Sequence, residues 1–350
     1  MIHPKCFTEE WILLKRDQIG RVDPTLLEKC IYAFELLAQL VTKGLIFIFK
    51  GGTSLILLLS EFRRLSIDVD IVCNEKREKI ESIFNAVVSD SPFSRWQEDV
   101  RMPTRIPKSH FRFYFHSNVN NREDYVLLDI LKESMNFPHV QSVHVNLPFF
   151  ILMEEVWVTV PTIEGLVGDK LTALAPWTIG IPLQEDRSMQ LIKQVFDLGE
   201  LFVHISDFHE IFDSYNVIHS LENKYRNTSF TTSETLQDTI DICFLISQMG
   251  LRGGVEDEST RILMRRIRSH LMGVNYHLDD ARISASRAAL IAKILQKESF
   301  PPPFSIVYNS EVLDQIRNVS LTGNLFVLNR LKSIAPEAFY YWYLIFRLEG

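Results

Sequence analysis

The pattern of apolar residues changes character at Pro161. Ahead of it, short segments rich in β-branched and aromatic residues are typical of strands: residues 66–72, 111–116, 125–131, 140–147 and 156–160. After it, apolar residues recur at the helical period in segments 162–175, 188–204, 232–249, 259–272 and 280–297. We predict an α+β fold. A mixed sheet of about five or six strands, flanked by helices such as 24–43 and 78–88, occupies residues 1–160, and a helical C-terminal domain occupies residues 161–350.

A strand, a tight turn and a helix follow one another early in the chain. The apolar run 45–49 has the length of a strand, Gly51-Gly52 suits a turn, and the run after it suits a helix. Backbone without a Cβ approaches a phosphate closely, and the first N–H groups of a helix attract anions. The glycine pair therefore predicts phosphate binding, with Thr53 or Ser54 as a further hydroxyl donor; a plain turn is the alternative.

Composition places the chain among folded globular proteins. Of its 350 residues, 46% are hydrophobic and 23% charged, which excludes disorder and fibrous repeats. The four cysteines, Cys6, Cys30, Cys73 and Cys243, form no CxxC pair, which fits a reducing compartment. No signal-peptide pattern opens the chain, and no apolar run approaches the roughly 20 residues that cross a bilayer. We expect a cytoplasmic protein without a membrane partner, and its net charge of −7 means that any nucleic acid must bind a local basic patch.

Two aspartates share one face of the predicted strand 66–72. Side chains alternate along a strand, so Asp68 and Asp70 lie on a face with Ser66, about 7 Å apart. Like charges at this spacing are costly unless a cation lies between them, and Mg²⁺ accepts carboxylate ligands while it also holds substrate phosphates. The motif predicts a site for Mg²⁺ or Mn²⁺; solvent-facing residues of an ordinary edge strand are the alternative.

A third carboxylate, Asp129, interrupts the otherwise apolar strand 125–131. An unpaired carboxylate inside a sheet is strongly disfavoured, so Asp129 needs a metal, a proton or a cationic partner such as an arginine. Carboxylates on neighbouring strands are what a two-metal phosphoryl-transfer site needs. We therefore predict Asp68, Asp70 and Asp129 as metal ligands.

The spacing of these motifs resembles a known superfamily. Gly-Gly-Thr-Ser, then about ten residues, then Ser-x-Asp-x-Asp is similar to the signature of nucleotidyltransferases related to DNA polymerase β. The fuller form, Lys-Gly-Gly-Thr-Ser-Leu and Arg-x-Ser-x-Asp-x-Asp, most resembles the AbiEii/AbiGii (MenT-like) toxins of toxin–antitoxin and phage-defence systems. The resemblance covers roughly residues 45–205. It implies NTP contacts from Lys50, Gly51, Gly52, Thr53, Ser54, Arg64, Ser66 and Lys170.

Two downstream residues extend the resemblance. Lys170 precedes a Leu-x-Ala-Leu run on the apolar face of a predicted helix, where its ammonium suits an NTP phosphate or simply snorkels to solvent. Asp197 lies in a segment similar to the family's Arg/Lys-Asp-x-x-Asp-Leu motif, whose acids are essential for activity. Gln194 stands where the first acid is usual. Asp197 is therefore either a catalytic acid or a polar-face residue that pairs with Lys193 in solvent.

The resemblance implies a Mg²⁺-dependent nucleotidyltransferase toxin that moves a nucleoside monophosphate from an NTP to an acceptor hydroxyl. The favoured acceptor is the tRNA 3′ end, and a cognate antitoxin protein restrains the enzyme. The implied catalytic residues, in a cleft between the two domains, are Asp68, Asp70, Asp129, Lys170 and Asp197. Two alternatives stay open: transfer to a small molecule or a protein, and a non-catalytic NTP- or RNA-binding module, which Gln194 favours. Residues 205–350 match no motif.

Two basic segments are further candidates for nucleic-acid binding. The first interleaves basic and aromatic residues, which suits single-stranded RNA or marks a strand with one apolar and one wet face: Arg101, Arg105, Lys108, Phe111, Arg112, Phe113 and Tyr114. The second is a solvated helix face by default: Arg261, Arg265, Arg268 and His270.

Overall fold

The computed structural model describes residues 1–20, 22–101, 105–134, 137–184, 187–255, 276–309, 311–312 and 316–349. These residues form two compact units, one up to Thr162 and the other from Ile163 onward. The sequence predicted the boundary between the two domains at residue 160. None of the helices in these ranges is both long enough and apolar enough to span a membrane.

The first unit is built on a five-stranded mixed sheet. Its elements are α1 (Glu9–Gln18), α2 (Pro24–Thr42), β1 (Ile48–Lys50), α3 (Gly51–Leu58), β2 (Val69–Val72), α4 (Arg77–Asp90), β3 (Phe93–Glu98), β4 (Lys108–Ser117), β5 (Arg122–Leu131), β6 (Val140–His144) and β7 (Trp157–Pro161). The strand order is β1-β2-β5-β4-β3, with β2 and β5 parallel and the other neighbours antiparallel. Strands β6 and β7 pair separately. The α+β class and the mixed sheet flanked by helices are confirmed.

One face of this sheet is apolar and covered by helices. Phe111, Phe113 and Phe115 alternate with polar residues along β4 and are buried. Tyr32 of α2 stacks on Phe115 with ring centroids 3.7 Å apart, and Phe84 of α4 packs edge-on against Phe113 at 5.0 Å. Because side chains alternate along a strand, the polar residues between these phenylalanines project from the opposite face, which we call the open face.

The second unit is helical. Its helices are α5 (Ile163–Ala173), α6 (Ser188–Leu201), α7 (Phe208–Arg226), α8 (Thr232–Gln248), α9 (Leu278–Gln296), α10 (Leu331–Ile334) and α11 (Pro336–Glu349). Helix α9 packs against α6, α8 and α11, and its alanine side chains are fully buried. Small residues permit this close packing: a Cβ on Gly199 of α6 would lie 2.4 Å from Ser284 Oγ of α9. The described part of this unit contains no strand, as the sequence predicts.

Several local predictions were wrong. The strand predicted from Ser66 begins only at Val69, and β3, α1 and α7 were not predicted because their sequences mix polar and apolar residues without a clear period. Strands β6 and β7 pair with each other and do not join the larger sheet. In the described residues from Pro303 onward, 3₁₀ turns precede the short α10 and α11. The predicted helix 259–272 lies outside the described residues.

Candidate active site

A row of polar side chains crosses four strands of the sheet on its open face. Asp70 of β2 is the register partner of Lys50 on β1 and of Asp129 on β5. Asp129 is in turn the register partner of His110 on β4. Register partners on neighbouring strands point to the same face and lie roughly 5 Å apart. The polar row therefore places two carboxylates side by side, between a lysine and an imidazole.

The two aspartates reach the open face because their chain neighbours belong to the core. The residues on either side of them are at most 1% exposed: Val69, Ile71, Leu128 and Ile130. Asp68 lies two residues before Asp70 and just ahead of β2. The structure thus brings Asp70 and Asp129 together as adjacent partners, with Asp68 at the entrance to the same strand.

Burial and the charges of the polar row shift the pKa of Asp70. Burial raises the pKa of Asp70 to about 6, and the carboxylates of Asp129 and Asp68 also raise it. Lys108 and Lys50 partly offset this rise. A carboxylate in this setting gains from a nearby cation, because its ionised form lacks water and faces like charges.

Replacing Asp70 with asparagine should stabilise the protein in the absence of divalent metal. The pKa of Asp70 lies at about 6 in the folded protein, above its usual 3.8, so the ionised carboxylate favours the unfolded state. The stability that the neutral carboxyl contributes is present below about pH 4 and is lost as the pH rises through about 6. At about 1.4 kcal/mol per pKa unit, Asp70→Asn should gain about 2–3 kcal/mol at pH 7.

Denaturant unfolding in EDTA at about pH 4 and pH 7 checks this expectation. The gain should appear only at the higher pH. Equal stability of the variant and the wild type at pH 7 would contradict it.

The donor set suits a hard cation that is shared with a substrate. Within the ranges that the structure covers, no three His, Cys, Asp or Glu side chains are arranged to hold a metal ion by themselves. Asp68, Asp70 and Asp129 are therefore not assembled as a complete ligand set. Mg²⁺ commonly binds through one or two carboxylates and completes its octahedron with phosphate oxygens and water. The adjacent carboxylates and the raised pKa of Asp70 fit that mode of binding.

Asp129 has a partner that the sequence analysis missed. Its Oδ1 lies 2.7 Å from Nδ1 of His110, and both side chains are 16% exposed. The expected partners were a metal, a proton or a cationic residue such as an arginine. His110 was overlooked because the predicted strand began at Phe111, whereas β4 begins at Lys108. Extending the alternation of β4 back by one residue would have placed His110 on the open face.

The turn between β1 and α3 brings backbone against Asp70. Gly51 has a φ of +81°, and a Cβ built on it would lie 2.3 Å from Asp70 Oδ2. Glycine alone combines this left-handed conformation with so close an approach. At Gly52, a Cβ would lie 2.6 Å from Arg64 Nη2 and 3.0 Å from Ser66 Oγ. A helix N-terminus, a guanidinium and a hydroxyl therefore meet beside Asp70, a combination that suits phosphate.

The two hydroxyls after the glycine pair hold the loop together. Thr53 donates to the carbonyl oxygen of Asp68 at 2.5 Å, and Ser54 donates to that of Gly51 at 2.8 Å. Both side chains are at most 1% exposed. In the structure each hydroxyl proton already has an acceptor inside the fold, so a phosphate contact from Thr53 or Ser54 stays a prediction that requires one of these bonds to be exchanged. Their bonds fix the backbone on both sides of the turn.

In the second unit, Lys170 and Asp197 form a buried ion pair. Lys170 Nζ lies 2.7 Å from Asp197 Oδ2, and the two side chains are 5% and 3% exposed. The carbonyl oxygen of the Gln194 side chain lies 3.4 Å from the same ammonium. Asp197 is therefore not a solvent-facing residue of α6, and Lys170 does not snorkel to solvent. Gln194, which stands where the family motif usually has its first acid, therefore contacts Lys170.

The first basic segment is divided between the two faces of β4. Phe111 and Phe113 belong to the core, whereas Tyr114 lies on the open face under the guanidinium of Arg95, 3.4 Å from its ring centroid. Arg112 pairs with Asp99 at 2.7 Å. The structure therefore supports the alternative in which this segment is one strand with an apolar face and a solvent-facing face. The second basic segment, around Arg261 to His270, lies outside the described residues.

Comparison with known proteins gives one family. A model described as "Nucleotidyl transferase AbiEii toxin, Type IV TA system" matches residues 35–298. No curated protein matches the chain significantly.

The solved structures that are similar to the chain include three at 13% identity. One is a candidate nucleotidyltransferase from H. pylori, with a TM-score of 0.48 over 82% of this chain and 100% of that chain. Another is JHP933 from Helicobacter pylori, with a TM-score of 0.44 over 77% and 93%. The third is an antigenic nucleotidyltransferase-like protein from Paracoccidioides brasiliensis, with a TM-score of 0.37 over 57% and 89%.

Proposed function

Because the chain belongs to the AbiEii family of nucleotidyltransferase toxins of type IV toxin–antitoxin systems, we propose that it transfers a nucleoside monophosphate from an NTP to the 3′ end of tRNA. The reaction releases pyrophosphate, depends on Mg²⁺ or Mn²⁺, and takes place in the cytoplasm. A cognate antitoxin protein restrains the enzyme. The family supports the nucleotidyltransferase activity, the NTP substrate and the antitoxin; the metal and the tRNA acceptor are our proposal.

The pairing of Asp70 with Asp129 beside the Gly51 turn is the observation that carries the proposal. A bound divalent cation would neutralise charge on the phosphates and activate the attacking hydroxyl. Asp70 and Asp68 would hold it, and Asp129 would complete a second site or accept the proton of the acceptor hydroxyl. Asp70 and Asp129 lie on strands whose pairing fixes their register, and Asp68 lies just ahead of β2. The three side chains would therefore need little reorganisation when substrate binds.

The rest of the loop binds and orients the triphosphate. The backbone of Gly51 and Gly52 at the start of α3 offers N–H groups, and Arg64 and Ser66 stand beside Gly52. Lys50 contributes positive charge at the end of the polar row. Positioning and charge stabilisation supply most of the acceleration that phosphoryl transfer requires, and little covalent chemistry is asked of the protein.

Replacing Gly51 with alanine should slow transfer by about tenfold or more, because the added Cβ would meet Asp70 Oδ2 and displace it from the substrate. Gly44 offers a matched control. It has a similar φ of +80°, but a Cβ there would meet nothing within 4 Å. Gly44→Ala should therefore show the backbone strain alone, and its transfer rate should stay at the wild-type level. Equal rates for the two variants would contradict this account of the turn.

The acceptor is tested by incubating the protein with α-labelled NTPs, Mg²⁺ and separated cellular fractions. Label in tRNA supports the proposal. Label in protein or in a small-molecule fraction favours the rival, a nucleotidyltransferase with another acceptor.

The second candidate is a non-catalytic NTP- or RNA-binding module. Gln194, in the position of a usual family acid, is the observation that favours it. Induced expression should arrest growth, and Asp68→Ala should relieve the arrest without lowering the protein level. Arrest of equal strength with Asp68→Ala would favour the binding module.

A further inference from the structure

The contact between Asp129 and His110 joins the carboxylate site to β4 through a side-chain hydrogen bond. His110 Nδ1 lies 2.7 Å from Asp129 Oδ1, and each side chain is largely withdrawn from water at 16% exposure. The two residues are direct register partners on the antiparallel pair β4–β5. The contact is therefore built into the ladder of the sheet.

The chemistry of the pair assigns the proton between them. An ionised carboxylate only accepts hydrogen bonds, so the ring nitrogen facing it, Nδ1, carries the proton and donates. A hydrogen bond to one oxygen stops the carboxylate group from rotating about its Cβ–Cγ bond. The torsion about that bond is otherwise broad and two-fold. The direction of the second oxygen of Asp129 is then fixed as well.

His110 is itself held in place from both sides. Its backbone pairs with β5 through the Asp129 register, and its carbonyl oxygen accepts a hydrogen bond from the backbone N–H of Asp99 at 2.7 Å. A hydrogen-bond donor on fixed backbone can orient a metal-binding carboxylate within the tolerance that chemistry needs. Loss of such a partner typically lowers metal affinity or activity by about 10- to 100-fold.

We propose that His110 is a positioning residue that orients Asp129 toward a divalent cation shared with Asp70. This inference rests on the proposed function, because it takes Asp129 as a metal ligand. It assigns a role to a residue of β4 that lies outside the family motifs quoted above.

Two substitutions separate the hydrogen bond from the bulk of the ring. Asparagine at position 110 carries an amide N–H close to the place of Nδ1, whereas leucine fills space and donates nothing. His116 offers a matched control on the same face of β4. Its Nε2 bonds to Asn121 Oδ1 at 3.0 Å, and its register partner is Glu123, away from the carboxylates.

The experiment measures Mn²⁺ binding to the nucleotide-free protein from the loss of the free-ion electron paramagnetic resonance signal. His110→Leu should weaken Mn²⁺ binding by about 10- to 100-fold, whereas His110→Asn and His116→Leu should bind nearly as the wild type does. In transfer assays, His110→Leu should need a correspondingly higher Mg²⁺ concentration, and saturating Mg²⁺ should restore most of its rate. Thermal unfolding verifies that each variant is folded.

The outcomes distinguish this inference from the function on which it rests. Asp129→Asn supplies the reference for loss of the ligand. If the wild type binds Mn²⁺ and Asp129→Asn weakens binding while His110→Leu does not, the role of His110 is overturned and the metal site stands. If His110→Asn is as defective as His110→Leu, the hydrogen bond is not the cause, and the inference also fails. If the wild type binds no Mn²⁺ alone, and none with a non-hydrolysable NTP analogue beyond what the analogue itself holds, both proposals are overturned.

Discussion

Replacing Asp70 with asparagine is expected to slow nucleotidyl transfer by about 1,000-fold or more. Asp70 is the centre of the polar row, with Asp129 as its register partner and Gly51 against its side chain. A metal-held phosphate contributes several kcal/mol of transition-state stabilisation, and each 1.4 kcal/mol is a factor of ten in rate. The amide keeps the size of the side chain but removes the charge that retains the cation. Transfer from an α-labelled NTP under single-turnover conditions measures the loss.

The matched control for this variant is Asp124→Asn on the same strand as Asp129. Asp124 pairs with Lys29 at 2.8 Å, outside the polar row. This pair lies away from the carboxylates of the polar row, so the variant should keep the wild-type transfer rate. Asp70→Asn is also expected to stabilise the metal-free protein, so denaturant unfolding should show a folded variant and separate the loss of activity from unfolding. Wild-type transfer by a folded Asp70→Asn protein would refute the assignment of Asp70.

Replacing Lys170 with methionine is expected to destabilise the second unit by about 3–5 kcal/mol, because it removes the cation that faces the buried Asp197 carboxylate. The double variant Lys170→Met/Asp197→Leu removes both charges and should recover most of this loss. Lys43→Met is the surface control. Lys43 pairs with Asp90, whose side chain is 52% exposed, and its loss should cost at most about 1 kcal/mol. Denaturant unfolding of each variant measures these differences.

The double variant also separates the two roles that Lys170 can have. The family resemblance implies that Lys170 and Asp197 act in catalysis, whereas the structure shows them neutralising each other. A folded double variant that has lost transfer supports the catalytic role. A folded and active double variant leaves the pair with a structural role only. A single variant as stable as the wild type would contradict the burial argument.

The sequence predicted the residues whose position follows from local alternation. Asp70 and Asp129 were predicted because acids that interrupt apolar strands are conspicuous, and alternation places both on the open face. Asp68 precedes β2, and its role at the site stays a prediction. The strand–turn–helix around Gly51 was predicted because a glycine pair marks a turn. The strand boundaries were less certain: residues 66–68 precede β2 because regular pairing with β1 and β5 begins only at Val69.

Contacts that depend on register or on helix packing were not predicted. His110 meets Asp129 through the pairing of β4 with β5, and no local pattern reports that register. Lys170 and Asp197 lie on different helices, and their mutual burial follows from how α5 and α6 pack. The hydroxyls of Thr53 and Ser54 were expected to face the substrate, but local hydrogen bonding to the backbone competes for such groups in turns.

The most direct test of the central claim is transfer of label from each of the four α-labelled NTPs to tRNA in the presence of Mg²⁺. With the wild-type protein, label from at least one NTP should enter tRNA and pyrophosphate should appear in equal amount, whereas Asp70→Asn should give neither. Absence of label from tRNA, protein and small molecules with every NTP, using folded wild-type protein, would contradict the account.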